Sequence, residues 1–315
     1  MTSNVMADVV AIASWNADLT SQVQRPPLRG ETLMGHGFTV GPGGKGSNAA
    51  VAAARQGARV AIVARTGQDD FGRMALDLWH GEGIDTQAVV QVADQSSGVA
   101  QILVYPDGDN SIVVSPGANA GLDAGQVRQA EAALKACRGV LASFEVPLAA
   151  VQQAFRTARE AGACTLLNPA PAQTLPADLA PWVDLLTPNQ TEVCALAGLP
   201  PEADPALAAQ ALLAMGVGAV VVTQGRHGAT LYRSGRAPHG VQGWSVPVVD
   251  TVGAGDTFTG ALAAALARGE LIESAVQVAN AAAALSVRGR GAIGGMPGLH
   301  EVLAWLAVQP CLLTP

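Results

Sequence analysis

The chain has 315 residues, 49% hydrophobic and 14% charged, with 36 glycines. That composition suits a folded globular protein and excludes a disordered one, which needs low hydrophobicity and high charge. The formal net charge is −7 and no Lys/Arg block interrupts it, so neither nucleic acid nor an anionic membrane finds an electrostatic footprint, and a small-molecule partner is expected.

The N-terminal MTSNVMADVVAIAS lacks a basic stretch ahead of its apolar run, and no apolar run reaches the ~18 residues that span a bilayer, which points to a cytoplasmic protein. In chain order, VVAIA (9 to 13), VAIVA (60 to 64), GVLAS (139 to 143), CTLLN (164 to 168), VDLLT (183 to 187) and AVVVT (219 to 223) are short and nearly all apolar, as strands covered on both faces must be. Helix-period segments alternate with them at 48 to 56, 71 to 80, 124 to 136, 148 to 161 and 205 to 215. This alternation predicts an α/β protein with a doubly wound, mostly parallel sheet flanked by helices.

Two regions break the rhythm. Residues 15 to 40 and about 88 to 115 read as alternating strands with turn residues, PDGDN forming a hairpin tip, and predict a small β-sheet lid. Residues 255 to 306 are mostly helical and rich in alanine, which predicts close helix packing. Cys137, Cys164, Cys194 and Cys311 lie far apart, without the spacing of a disulfide framework or a zinc site, and are expected as buried free thiols.

The stretch GPGGKGSN (41 to 48) satisfies G-x-G-x-x-G, but no acidic residue stands at the tip of the following strand as a dinucleotide site requires; Asp69 and Asp70 come later, after a turn. Lys45 is followed by glycine rather than Ser or Thr, so the Walker pattern fails too. What remains is a glycine-rich turn that starts a helix, or a close-approach surface for a polar ligand. The chain has only two lysines, Lys45 and Lys135, and an ammonium among four glycines favours the second. Asn48 either caps the helix or turns its amide to a ligand.

In VVDTVGAGDTFTGAL (248 to 262) a β-run ends at Asp250 and the small residues Gly253, Ala254 and Gly255 open a long helix with Asp256 in its first turn. Asp256 there is either a cap or a general base beside an anion hole. Three residues without bulk are not needed by a cap, whereas close approach of a charged ligand needs them. A carboxylate that takes a hydroxyl proton, next to N–H groups that receive charge, suits phosphoryl transfer.

With GGKGSNAAVAAARQG and DTVGAGDTFTGAL in place, and ASWNAD, SFEVP, LNPAPA, TPNQTE and TQGRHG following in order, the chain resembles the ribokinase-like (PfkB) family of carbohydrate kinases over essentially its whole length, as one domain. The resemblance implies an ATP-dependent kinase for the terminal hydroxyl of a pentose, D-ribose first. Deoxyribose, fructose, a ribonucleoside, or a catalytically silent sugar-responsive regulator are the alternatives. By the same resemblance Asn16, Ala17, Asp18, Gly44, Lys45, Gly46, Ser47, Asn48 and Glu145 would hold the sugar. Asp256 would be the base, and Gly253, Ala254 and Gly255 the anion hole.

The resemblance further implies that ATP lies against Asn189, the turn of Thr223, Gln224, Gly225, Arg226, His227 and Gly228, then Gly255, Asp256 and Asn280. Glu192 would organise Mg2+ through water, although N-x-x-E is equally a helix capping box. A K+ ion would be held by Asp250, Val252, Ser286, Gly289 and Gly291, with Gly295 departing from a serine common in the family. Trp15 also departs, and implies either packing or a bulky wall at the substrate. The lid would pair with its twin in a homodimer.

Overall fold

The computed structural model describes residues 6–308. In chain order the elements are β1 (Val9–Ala13), β2 (Asn16–Gln22), β3 (His36–Gly43), α1 (Lys45–Arg55), β4 (Val60–Gly67), α2 (Asp70–Gly81), β5 (Asp85–Val92), β6 (Gly98–Val104) and β7 (Asn110–Ser115). Next come α3 (Ala124–Gln129), α4 (Glu131–Ala136), β8 (Gly139–Ser143), α5 (Leu148–Glu160), β9 (Cys164–Asn168), β10 (Leu185–Leu186), α6 (Gln190–Leu196) and α7 (Pro205–Ala214). The chain continues through β11 (Ala219–Thr223), β12 (Gly228–Arg233), β13 (His239–Gln242), α8 (Ala254–Ala267), α9 (Ile272–Ser286) and α10 (Leu299–Val308).

Nine of these strands form one sheet in the order β13-β12-β11-β10-β9-β8-β1-β4-β5. All its pairs are parallel except β11 with β12 and β12 with β13. β1 and β8 are buried throughout, which is why their sequences carry no polar alternation. Helices cover both faces. On one face α1, α8 and α9 pack Ala49, Ala53, Ala261, Ala264 and Ala279, and on the other α5 packs Val151, Ala154 and Phe155. The small residues let axes approach closely: a side chain at Gly260 of α8 would overlap the Ala49 carbonyl of α1.

The smaller sheet has the order β3-β2-β6-β7. It takes less of the chain than the alternation predicts. β5 pairs in parallel with β4 at the edge of the large sheet, so residues 88 to 92 do not belong to the lid region. As an edge strand covered on one side, β5 alternates in the same way as an open antiparallel strand. At the other end β3 runs on to Gly43, past the expected boundary at 40.

Three further expectations are corrected. The helix expected over 124 to 136 divides at Ala130 into two, with Val127 of the first and Leu134 of the second in the same apolar cluster. VDLLT contributes only the two residues of β10. The β-run expected to end at Asp250 is no strand: Val249 and Asp250 donate their N–H groups to the Val287 carbonyl instead of a strand neighbour, and Val248 and Val249 are exposed.

Trp15 is fully buried and meets Trp79 edge to face, ring centroids 5.8 Å apart and planes at 78°. Its role is packing rather than walling the cleft. Cys137 and Cys194 are buried free thiols, but Cys164 is only half-buried. Burial pushes Cys137 up to about 11 and Cys164 up to about 12, so both are inert thiols at neutral pH. Cys311 lies outside the described residues. Among the described residues no helix is long and apolar enough to cross a membrane.

Candidate active site

The order β8-β1-β4 makes β1 and β8 a switch point, because the strands after β1 build outward to one side and those after β8 to the other. Ligands in such sheets bind beyond the carboxyl ends of the strands at that crevice. There the chain places Ser14 and Asn16 after β1, Glu145 after β8, Asn168 as the last residue of β9, and the N-termini of α1 and α8. A cleft of about 1030 Å³ opens over them, with the smaller sheet as its far wall.

The glycine-lysine loop supplies one side of the cleft by packing tightly. Gly44 has φ 89°, and a side chain there would come within 2.7 Å of the Ser14 carbonyl; one at Gly46 would come within 2.5 Å of the Ala13 Cα. The glycines therefore press α1 onto the end of β1 and leave Lys45 and Asn48 facing the cleft. Not every residue of the loop faces it. Ser47 is fully buried and accepts a 2.8 Å hydrogen bond from Trp79 Nε1, and Ala17 is buried away from the lining.

Glu145 ties the site together. Its Oε2 accepts from the Lys45 backbone N–H at 2.8 Å, from Ser14 Oγ at 2.6 Å and from Asn16 Nδ2 at 3.5 Å. Asn16 Oδ1 in turn accepts from Asn119 Nδ2, and Asn119 also brackets the Trp15 N–H and carbonyl. Asp18 enters from β2 over Gly43, where any side chain would overlap its carboxylate. Burial first, then the charges of Glu145 and Asp256, push Asp18 up to about 7 against the pull of Lys45. For Lys45 burial is the largest influence and lowers its pKa, but Asp256, Glu145, Glu192 and Asp18 together outweigh it and raise the pKa.

On the other side α8 begins at Gly253 in the left-handed region, φ 78°, with no side-chain cap. A side chain at Gly253 would overlap the Ala292 carbonyl, while one at Gly255 would meet nothing within 4 Å. Gly253 is thus needed by the turn, and Gly255 leaves open space beside first-turn N–H groups that have no helical partner. Asp256 does not cap the helix. Its Oδ2 accepts from Asn48 Nδ2 at 2.9 Å and its Oδ1 from Asn168 Nδ2 at 3.0 Å. Burial raises Asp256 to about 6 against Lys45 and the two amides, with Glu145 adding to the rise. Asn48 likewise is no cap, since Gly44 holds that position, and its Oδ1 is buried with no partner, an acceptor left for a ligand.

Of the residues expected around the nucleotide, Asp256 lines this cleft; the others lie outside its lining, Gly255 in the first turn of α8 and the rest at the ends of β10 and β11 and beside β13. Asn189 bridges Thr223 and forms a complete capping box with Glu192, whose Oε2 accepts the Asn189 N–H at 2.8 Å. Gln224 accepts from Thr230, Gly225 and Gly228 have positive φ, and Arg226 and His227 are exposed. Asn280 Nδ2 is taken by the Gln242 carbonyl at 2.9 Å.

Asp250 gathers the ion candidates. Its Oδ1 accepts from Val252 N–H and its Oδ2 from Gly291 N–H at 2.8 Å, while Gly289 N–H donates to the Ser286 carbonyl. Gly295 touches this turn so closely that a side chain there would overlap the Ser286 carbonyl, so this backbone has no room for a serine. At the far end of α1, Arg55 holds the same segment through the carbonyls of Ile293 at 2.6 Å and Met296 at 3.2 Å.

Sequence reasoning assigned no role to Asn168 or Asn119. Asn168 is a polar residue ending an apolar run and Asn119 a buried one in a glycine-rich turn, but their partners Asp256 and Asn16 are 88 and 103 residues away.

The family model for the pfkB family of carbohydrate kinases matches residues 6–298. The chain belongs to this family. As a pfkB family kinase it is a phosphotransferase with an alcohol group as acceptor. It is 37% identical over 300 residues to a ribokinase of Haemophilus influenzae, covering 95% of this chain and 98% of that one. It is 34% identical over 305 residues to a deoxyribokinase of Salmonella typhi, covering 96% and 99%. Its fold matches that of an Arabidopsis thaliana ribokinase complexed with ribose and ATP, with a TM-score of 0.89 and 31% identity over 97% of this chain and 100% of that one. The large, mostly parallel sheet with helices on both faces and a smaller second sheet is the ribokinase-like fold.

Proposed function

We propose that this pfkB kinase transfers the γ-phosphoryl group of ATP to the terminal hydroxyl of a pentose, D-ribose first. The observation that carries the reading is Asp256, a buried carboxylate raised to about 6, at the first turn of an uncapped helix and in one cleft with Asp18, Glu145 and Lys45. A relative complexed with ribose and ATP and ribokinase relatives at similar identity support the substrate class.

In this reading Asp18 and Glu145 accept hydrogen bonds from sugar hydroxyls, Asn16 and Lys45 supply donors around them, and Asn48 offers its unpartnered Oδ1 as a further acceptor. Such acceptors select for the hydroxyls they bond, because a missing one strands a buried carboxylate. Asp256 takes the proton of the attacking hydroxyl, and the N–H groups opened by Gly253, Ala254 and Gly255 receive the charge that develops on the transferred group. The smaller sheet acts as a lid that carries Asp18 and excludes water.

Asn189, the Thr223 to Gly228 turn, Gly255 and Asn280 form the nucleotide side. Glu192 fits a water-mediated Mg2+, since one carboxylate plus phosphates suffices for that ion, and the ion would neutralise phosphate charge. Asp250 with the carbonyls of Val252, Ser286, Gly289 and Gly291 is an oxygen donor set that fits K+. The whole chain works as one kinase domain in the cytoplasm. Phe38, Val40 and Val113 expose apolar surface on the smaller sheet outside the lining of the cleft, which supports a homodimer through the lid.

ADP release measured over a panel of ribose, deoxyribose, fructose and ribonucleosides tests the assignment. Deoxyribose turning over faster than ribose would shift it toward the deoxyribokinase relative. Asp256→Asn with near-normal turnover would overturn the base.

A further inference from the structure

Asp256 has two side-chain partners, and both are neutral amides. They differ in place. Asn48 lines the cleft, whereas Asn168 does not and reaches the carboxylate from the end of β9. Asn168 is buried, 6% exposed, at the end of a strand otherwise made of Cys164, Thr165, Leu166 and Leu167. Burying an amide there is costly unless it is bonded, and the bond it makes is to Asp256 Oδ1. Its backbone is fixed by pairing with Ser143 of β8, so the amide is presented from the rigid sheet rather than from a loop.

We propose that Asn168 is a positioning residue that fixes the orientation of the Asp256 carboxylate and keeps it ready to accept a proton, without touching the sugar. The proposal rests on Asp256 being the general base. A carboxylate gripped by a guanidinium would be held low and would accept a proton poorly; one buried with no donor would be protonated and unable to accept any. An amide lies between these limits, orienting the oxygen and favouring the ionised form only moderately. The charged groups facing Asp256 from the surrounding elements are Lys45 on α1, Glu145 after β8 and Asp18 on β2, while Glu192 on α6 acts on Lys45. Asn168 stabilises the carboxylate among them by a hydrogen bond alone.

The test is kcat against pH at saturating sugar and ATP for Asn168→Ala and Asn168→Asp, with sugar affinity measured by titration without nucleotide. In Asn168→Ala the acid limb should move up by about half a unit to one unit, with sugar affinity unchanged within about twofold. In Asn168→Asp, which changes one atom group and puts a second carboxylate against the first, the limb should move up by more than about one unit. Turnover at pH 6 should then fall at least about fivefold and recover toward pH 9. A limb that stays in place while kcat drops equally at every pH would overturn the proposal and leave Asn168 a packing residue. Near-normal turnover in Asp256→Asn would instead sink the base itself. Asn168→Asp, nearly the same shape as the native residue, keeps the test decisive if Asn168→Ala does not fold.

Discussion

Lowering the pH from 8 to 6 is expected to reduce kcat/KM for the sugar by about twentyfold. In the proposed reading Asp18, pushed up to about 7 by burial and by Glu145 and Asp256, accepts from two sugar hydroxyls at once only when ionised, since its protonated form carries a donor on one oxygen, and Asp256, at about 6, acts as the base only when ionised. At pH 8 about 90% of Asp18 and about 99% of Asp256 carry charge; at pH 6 the fractions are about 9% and about 50%, and the ratio of the products is about twenty. Both pKa values are raised, so activity is lost as pH falls, and the loss begins near neutrality rather than near the ordinary carboxylate range. Initial rates of ADP release at sugar concentrations well below KM, from pH 5.5 to 8.5 at constant ionic strength, measure it. Asp18→Asn should bind sugar poorly and lose the upper step while keeping the lower. A flat kcat/KM between pH 6 and 8 would refute the reasoning, because it would mean that neither carboxylate is held away from its usual range in the free enzyme.

Other outcomes follow from the same geometry. A carboxyl raised by folding binds protons more readily in the native state than in the unfolded chain, so its ionisation costs stability above pH 7 and the cost is relieved as pH falls toward 4. Asp18→Asn should therefore melt roughly 2 to 4 °C above the wild-type chain at pH 8, with less than half that gap at pH 5. Gly253→Ala should lower the melting temperature by several degrees, through positive φ and overlap with the Ala292 carbonyl, whereas Gly255→Ala should leave it unchanged and lower kcat about tenfold or more by crowding the transferred group. Equal melting temperatures for the two variants would remove that distinction. Activity in K+ buffer should exceed that in Na+ buffer, since Asp250 already orders the Val252 and Gly291 turns without a residue-295 hydroxyl; equal rates would argue against the ion site.

The strands that the sequence marks best are those buried on both faces: β1, β8, β9 and β11 begin and end where their apolar runs do. β5 was misread because an edge strand covered on one side alternates, and Val248 to Asp250 because an apolar run can satisfy its backbone on a single carbonyl of another segment. For the site, the motif residues Lys45, Asn48 and Asp256 were legible as unusual local chemistry. Their mutual arrangement was not, since Asn48 and Asp256 are 208 residues apart and meet only because α1 and α8 start at one crevice. Asn189 and Glu192 show the opposite limit: their letters describe a capping box, the structure forms one, and the local pattern says nothing about a further role.

The helix α1 starts at Lys45 in the cleft and ends at Arg55, whose guanidinium holds the Ile293 and Met296 carbonyls. Its 11 residues make a rod about 16 Å long with every interior N–H bonded along its axis. Such a rod tilts or slides as a unit, so the height of the Lys45 ammonium above the crevice floor is set in part by carbonyls at the opposite end of the helix. In the proposed reading, one rigid helix thereby joins the sugar's seat at Lys45 to the segment of Ile293 and Met296 beyond Gly253.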